Sequence, residues 1–208
     1  MRLTLDLHLH SQASPDGRMT VEEIAAAARA RGLHGVAVCD HDVVYTGPTE
    51  VDGVLLIPGV EFSTEHGHLL GLFVRQPMVY TTWEETTQAV RRLGGLTVLA
   101  HPFQHRKEEG KLVPLVPYLD GMETWNGRAN RKNPQANAQA AAFAKDYGLI
   151  PTAGSDAHLA QRLATGPSPW RLRTGPSPPF GRRSWTERAG LPGRKAPPSA
   201  LPGANIPS

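Results

Sequence analysis

Leu3, Leu5, Leu7 and Leu9 alternate with Thr4, Asp6, His8 and His10 at the start of the chain, which predicts a strand with one apolar and one polar face. A face carrying two imidazoles and a carboxylate is expected to look into something other than bulk solvent. Thr20 and Glu23 form a capping box ahead of Ile24 and an alanine run closed by Gly32, so residues 21–31 read as a helix. Gly35 to Cys39 follows as a short buried strand. Further strands are predicted at Val54 to Ile57, Leu69 to Val74, Leu96 to Ala100, Leu119 to Thr124 and Leu149 to Ala153. Helices are predicted at Thr82 to Leu93 and over residues 134–147, with Pro134 as the first helical residue. Strands alternating with helices argue for a parallel or mostly parallel α/β sheet, closed as a barrel.

The pattern stops at Leu163, and the last 46 residues hold 10 Pro and 6 Gly with scattered arginines. Such a segment cannot bury enough surface to offset its ordering entropy. The expected organisation is therefore one domain over 1–162 and a disordered tail over 163–208, whose abrupt onset points to a truncated gene or an altered reading frame. Charge divides at the same place. Through Arg162 there are 15 basic and 18 acidic residues, net −3, whereas the tail sets seven basic residues against Glu187 alone. The high pI thus belongs to the tail and gives no ground for a nucleic-acid partner. A single cysteine, Cys39, excludes an internal disulfide and a thiolate-rich metal site, leaving imidazole and carboxylate as metal ligands. With no apolar run near the length of a membrane span and no signal-peptide pattern, a soluble cytoplasmic protein without a membrane partner is expected.

Five segments carry candidate chemistry, each at a predicted strand end. In Asp6-Leu-His8-Leu-His10-Ser11 the spacing of two puts both imidazoles on one face, with Asp6 beside them to accept a ring N–H, and Asp16 follows in a Pro-Asp-Gly turn. The others are Asp40-His41-Asp42, Gly59-Val-Glu61-Phe62 with His68 behind it, Ala100-His101-Pro102, and Gly154-Ser-Asp156-Ala-His158. Asp40 is expected to support the ligands from behind, and His66 to be solvated. Each segment alone also fits a polar strand face or a loop histidine, but together they engage six of the nine histidines. Hydrolysis with metal ions needs this kind of convergence from the ends of several strands.

The order and wording of these segments resemble the polymerase and histidinol phosphatase (PHP) superfamily over about residues 1–160. The resemblance implies a distorted seven-stranded (β/α) barrel with up to three metal ions at its C-terminal mouth. His8, His10, Glu61 and Asp156 look like one site, Glu61 bridging to a second with His68 and His101, and Asp16, His41 and His158 like a third. Nitrogen and oxygen ligands admit zinc, manganese or iron. The chain departs from the family pattern twice: the stretch from Asp42 to Leu56 has no room for the usual helix, and the closing C-terminal helix is replaced by the tail.

The expected activity is hydrolysis of a phosphate ester on a small phosphorylated metabolite or nucleotide, by a metal-bridging hydroxide attacking phosphorus in line. Arg18 and Arg128 are candidate phosphate clamps, Asn126 or Trp125 candidate substrate contacts, and Asp156 or His158 candidate proton donors to the leaving oxygen. Two alternatives stay open: a nucleic-acid exonuclease, disfavoured by the net acidic body, and an inactive truncated remnant.

Overall fold

The alternating leucines form β1 (Arg2–Leu9), and the capping box starts α1 (Val21–Ala30) in the computed structural model, which describes residues 2–78, 81–105, 108–164 and 171–173. The chain continues through β2 (Gly35–Val38), β3 (Glu50–Val51), β4 (Val54–Thr64), β5 (Gly67–Leu72) and α2 (Trp83–Arg92). After β6 (Leu96–Leu99) come β7 (Gly121–Asn126), α3 (Gly127–Lys132), α4 (Ala136–Asp146), β8 (Ile150–Gly154) and β9 (Arg171–Arg173).

The strand order is β8-β7-β6-β5-β4-β2-β1-β9, with β3 beside β4. β1, β2, β4, β6, β7 and β8 pair in parallel with one another where they meet, while β5 is antiparallel to both its neighbours. Seven of the strands, from β8 to β1, make a nearly closed barrel. Its seam is held by Asp156 N–H donating to His8 O at 2.8 Å and His10 N–H donating to Ala157 O at 2.9 Å. The barrel interior is filled by Leu5, Leu7, Ala37, Cys39, Ile57, Leu70, Leu72 and Val98, so it is a packed core rather than a pore. Outside it, Ile24, Ala25 and Ala28 of α1 pack on Leu9, Val36 and Val38, and Trp83, Val90 and Phe143 from α2 and α4 pack on Val60, Leu69 and Leu99.

Two β-bulges interrupt the expected alternation. In β1, Asp6 pairs with Val36 and Leu9 with Val38, so three steps along β1 match two along β2. Leu7 and His8 consequently both face inward, Leu9 turns out against α1, and Asp6 lies on the opposite face from His8. This corrects the simple two-faced reading of the strand. In β7, Glu123 pairs with Thr152 and Trp125 with Ala153, making Thr124 the extra residue. Glu123 and Asn126, three apart, thereby share the inner face, and Trp125 packs outward.

Other boundaries also move. β4 runs on past Ile57 by changing partners at Pro58, from β2 before it to β5 after it, so Glu61 lies within the strand. Pro134 precedes rather than starts its helix, because the Asn133 side chain accepts Gln135 N–H and α4 begins at Ala136. Residues 43–49 form no helix, and Leu55 on that flank is 42% exposed. Of the expected disordered tail, Leu163 is fully buried against α1, Ala164 is half-buried beside it, and Arg171–Arg173 pair antiparallel with the first half of β1; residues 165–170 and 174–208 lie outside the described residues. Among the described residues, no helix is long and apolar enough to cross a membrane.

Candidate metal centre

All five candidate segments reach one rim, because the parallel strands end there and antiparallel β5 begins there. Glu61, 1% exposed, stands at the centre. Its Oε2 is 3.2 Å from His8 Nε2, 3.2 Å from His10 Nε2 and 3.3 Å from His41 Nδ1. Its Oε1 is 2.8 Å from His68 Nδ1 and 3.0 Å from His101 Nε2. Asp156 Oδ1 lies 3.5 Å from His10 Nε2, and Asp16 Oδ2 lies 2.8 Å from His158 Nε2 and 3.9 Å from His41 Nε2. Two of these residues hold left-handed backbone, His101 at φ +28° and Asp156 at φ +51°. Such strain, on the order of 1–3 kcal/mol per residue, persists where the surroundings over-determine a conformation.

The electrostatics follow from crowding imidazoles and acids out of water. Burial alone would raise the Glu61 carboxyl, but His8 and the imidazoles of His10, His101 and His68 outweigh it and hold it well below the carboxylate range. Asp156 is held down in the same way, chiefly by His8. Burial would lower His8, yet Glu61, Glu123 and Asp156 carry it well above its ordinary value. Burial lowers both His41 and His158, nearer the opening.

The donor set fits divalent cations. The Nε2 atoms of His8 and His10 are buried beside Glu61 without an aligned hydrogen bond, and a cation would satisfy their lone pairs and the carboxylate together. Donor atoms lie within 4.8 Å of one another in three overlapping groups: His8, His10 and Asp156; His10, Asp16, His41 and His158; His41, Glu61 and His68. All the expected ligands but His101 fall in these groups, and His101 stands beside them on Glu61. Glu61, His68 and His101 also converge as expected, with Glu61 Oε1 2.8 Å from His68 Nδ1 and 3.0 Å from His101 Nε2 and the two rings 3.4 Å apart at those nitrogens, while His41 approaches the other Glu61 oxygen. Cys39 is buried with its Sγ directed at Leu7 O and takes no part.

The supporting residues are rearranged. Asp6 takes no ring N–H: the bulge turns it to accept the backbone N–H of Ser155 at 2.9 Å and of His8 at 3.3 Å. The His8 ring faces Glu123 instead, 3.1 Å from its Oε1. Asp40 accepts the N–H and Oγ–H of Ser11 at 2.6 and 2.7 Å, fixing the turn after His10. Asn126, expected against substrate, is buried with Nδ2 donating to Glu123 and Asp156 and Oδ1 accepting Ala129 N–H. Arg128 does reach the rim, its Nη1 2.9 Å from His158 Nε2 and 3.7 Å from both Asp16 and Asp156. Arg18 is exposed, and its backbone N–H, donating to His158 O, is what ties it to the site. Glu123 and Ser14 escaped the sequence pattern. Ser14 Oγ donates to Asp16 and accepts His41 N–H. Glu123 does leave a signal, since a glutamate inside an otherwise buried strand must be paired.

Comparison with known proteins agrees with this geometry. Residues 6–112 match the PHP domain and residues 134–166 the PHP-associated region. An uncharacterized protein of Methanocaldococcus jannaschii is 30% identical over 138 residues, covering 58% of this chain and 80% of the relative. A 5′-3′ exoribonuclease of Haemophilus influenzae is 40% identical over 77 residues, 32% of this chain and 27% of the relative. Among solved structures, a two-domain protein of Bacteroides vulgatus containing a predicted PHP-like metal-dependent phosphoesterase superposes with a TM-score of 0.61 at 20% identity, covering 76% of this chain and 52% of the other.

Proposed function

The chain belongs to the PHP-domain family, and on that premise we propose that it hydrolyses a phosphate ester on a small phosphorylated metabolite or nucleotide. The carrying observation is Glu61 in contact with five imidazoles from four segments of the chain, two of them with buried Nε2 atoms lacking any aligned hydrogen bond. Two or three divalent cations, zinc, manganese or iron, are the proposed occupants, held by His8, His10, Asp16, His41, Glu61, His68, His101, Asp156 and His158. Bound there, they supply Lewis acidity, lowering the pKa of water and offsetting charge on phosphoryl oxygens.

The chain's own residues supply the rest. Arg128, at the lip, presents a guanidinium whose fork suits two phosphoryl oxygens. Asp156, buried with its Oδ1 3.5 Å from His10 Nε2, serves as a ligand rather than an acid. With two cations bound, His158, partly open at the rim and paired with Asp16, would be free to give the proton to the leaving oxygen; with three it would be a ligand and water would give that proton. The net negative body, with 15 basic against 18 acidic residues through Arg162, supports a small ester over a polymer.

The test is turnover of a panel of phosphate mono- and diesters by metal-reconstituted protein and by the His8→Ala/His10→Ala double variant. Loss of metal uptake and turnover together is expected; undiminished turnover in the variant would overturn the proposal. Exonuclease action is the second reading, favoured by the likeness to the exoribonuclease. Nucleotide release from RNA, with small esters untouched, would put it first. An inert remnant would show neither metal uptake nor a cooperative thermal transition.

A further inference from the structure

Glu123 is 1% exposed, and two of its three polar partners can only donate. Its Oε2 is 2.9 Å from the backbone nitrogen of His101 and 2.9 Å from Asn126 Nδ2. The sense of the Asn126 amide is fixed, because its Oδ1 accepts Ala129 N–H at 2.7 Å. The third partner, His8 Nδ1, lies 3.1 Å from Oε1 and is the one group able either to donate or to accept. A carboxylate only accepts. Nε2 also faces a carboxylate, Glu61 at 3.2 Å, but without an aligned hydrogen bond, so the proton of a neutral His8 sits on Nδ1 and the lone pair on Nε2.

From this we infer that Glu123 is the positioning residue of the metal centre. One oxygen selects the His8 tautomer able to bind a cation through Nε2. The other anchors the left-handed backbone of His101, whose Nε2 lies 3.0 Å from the far oxygen of Glu61. Through Asn126 Nδ2, 3.4 Å from Asp156, the same carboxylate reaches a third ligand. The β7 bulge makes this possible by turning Glu123 and Asn126 to the same side. The inference rests on the metal centre of the proposed function and is independent of which ester is cleaved.

Glu123→Gln is the discriminating change, since it keeps shape and removes only the second acceptor. Its carbonyl must meet the two obligate donors, so its NH2 faces His8 Nδ1, which must then accept and carry its proton on Nε2. The experiment uses the full chain, metal-free, 15N-labelled and at a pH high enough to leave His8 neutral, as wild type, Glu123→Gln and Glu123→Asp. Imidazole 15N shifts report the His8 tautomer, and titration with Zn2+ alone against a competing chelator reports affinity. Wild type is expected to show the Nδ1 proton, Glu123→Gln the Nε2 proton with roughly 10–100-fold weaker zinc binding, and Glu123→Asp partial rescue of both.

An unchanged tautomer together with unchanged zinc affinity in Glu123→Gln would overturn the inference. So would an Nε2 proton in wild type, a measurement that stands even if the variant fails to fold. A wild-type chain that shows the Nδ1 proton but takes up no zinc supports the tautomer assignment and overturns the proposed function instead.

Discussion

At the residue scale, the centre is a problem in charge compensation. Glu61 is almost fully buried, and five imidazole nitrogens within 3.3 Å keep it ionised. Removing one partner from a buried charged set leaves the others uncompensated, at about 3–5 kcal/mol. Glu61→Ala in metal-free protein is therefore expected to lose stability on that order in denaturant unfolding, besides losing metal uptake. A loss under about 1 kcal/mol would mean that the imidazoles are solvated rather than packed on the carboxylate. The ligands themselves were legible in sequence, because histidines and acids at strand ends announce themselves by type and spacing. The roles of their supports were not: a glutamate in a buried strand signals that Glu123 is paired, and Asn126 stands at a strand end, but what each holds is decided only where β7 passes β1 and β8.

At the element scale, bulges decide what the site contains. Period-two alternation predicts the strands well, but it cannot reveal an added residue, so the β1 and β7 bulges were invisible to it. The continuation of β4 was hidden for a related reason: Pro58-Gly59 reads as a strand end, although a proline is tolerated where a strand exchanges partners. Deleting Thr124 should restore alternation while leaving Glu123 and Asn126 on the inner face and Trp125 on the outer. The expected result is a chain that keeps both its far-ultraviolet dichroism and its zinc binding; lost binding would show that the bulge itself, and not only the side each residue faces, shapes the site.

Helix α2 offers a pH test at the same scale. The Glu65 carboxylate accepts Trp83 N–H at the helix start, which lowers its pKa below the ordinary value. A lowered carboxylate contributes stability above its unfolded pKa and loses it as pH falls through the folded one. Glu65→Gln should thus cost about 0.5 kcal/mol at neutral pH, with the difference from wild type closing in acid below about pH 4. A difference that persists undiminished at pH 3 would assign the effect to shape rather than charge.

At the scale of the whole molecule, the barrel's weak point and its metal centre coincide. The seam between β1 and β8 is closed by a few main-chain bonds, and its neighbours in space are His8, His10, Asp156 and His158. A Cβ on Gly154 would fall on the His8 side chain and on Glu123 Oε1, so this approach of β8 to β1 requires a glycine. Gly154→Ala should accordingly weaken the fold by about 1–3 kcal/mol and zinc binding with it. Cations bridging ligands from both sides of the seam would act as its clasp. A ligand bound only by the folded state adds about 2.7 kcal/mol when present at 100 times its dissociation constant, which for a domain of this size is roughly 5–10 °C in Tm. Chelation should lower Tm by that amount and speed amide exchange first at His10 and Asp156, whose N–H groups close the seam, while amides of α2 and β5 change little. Uniform acceleration across the barrel would show instead that the metal stabilises the fold as one cooperative unit, and an unmoved Tm after measured metal loss would remove the clasp altogether.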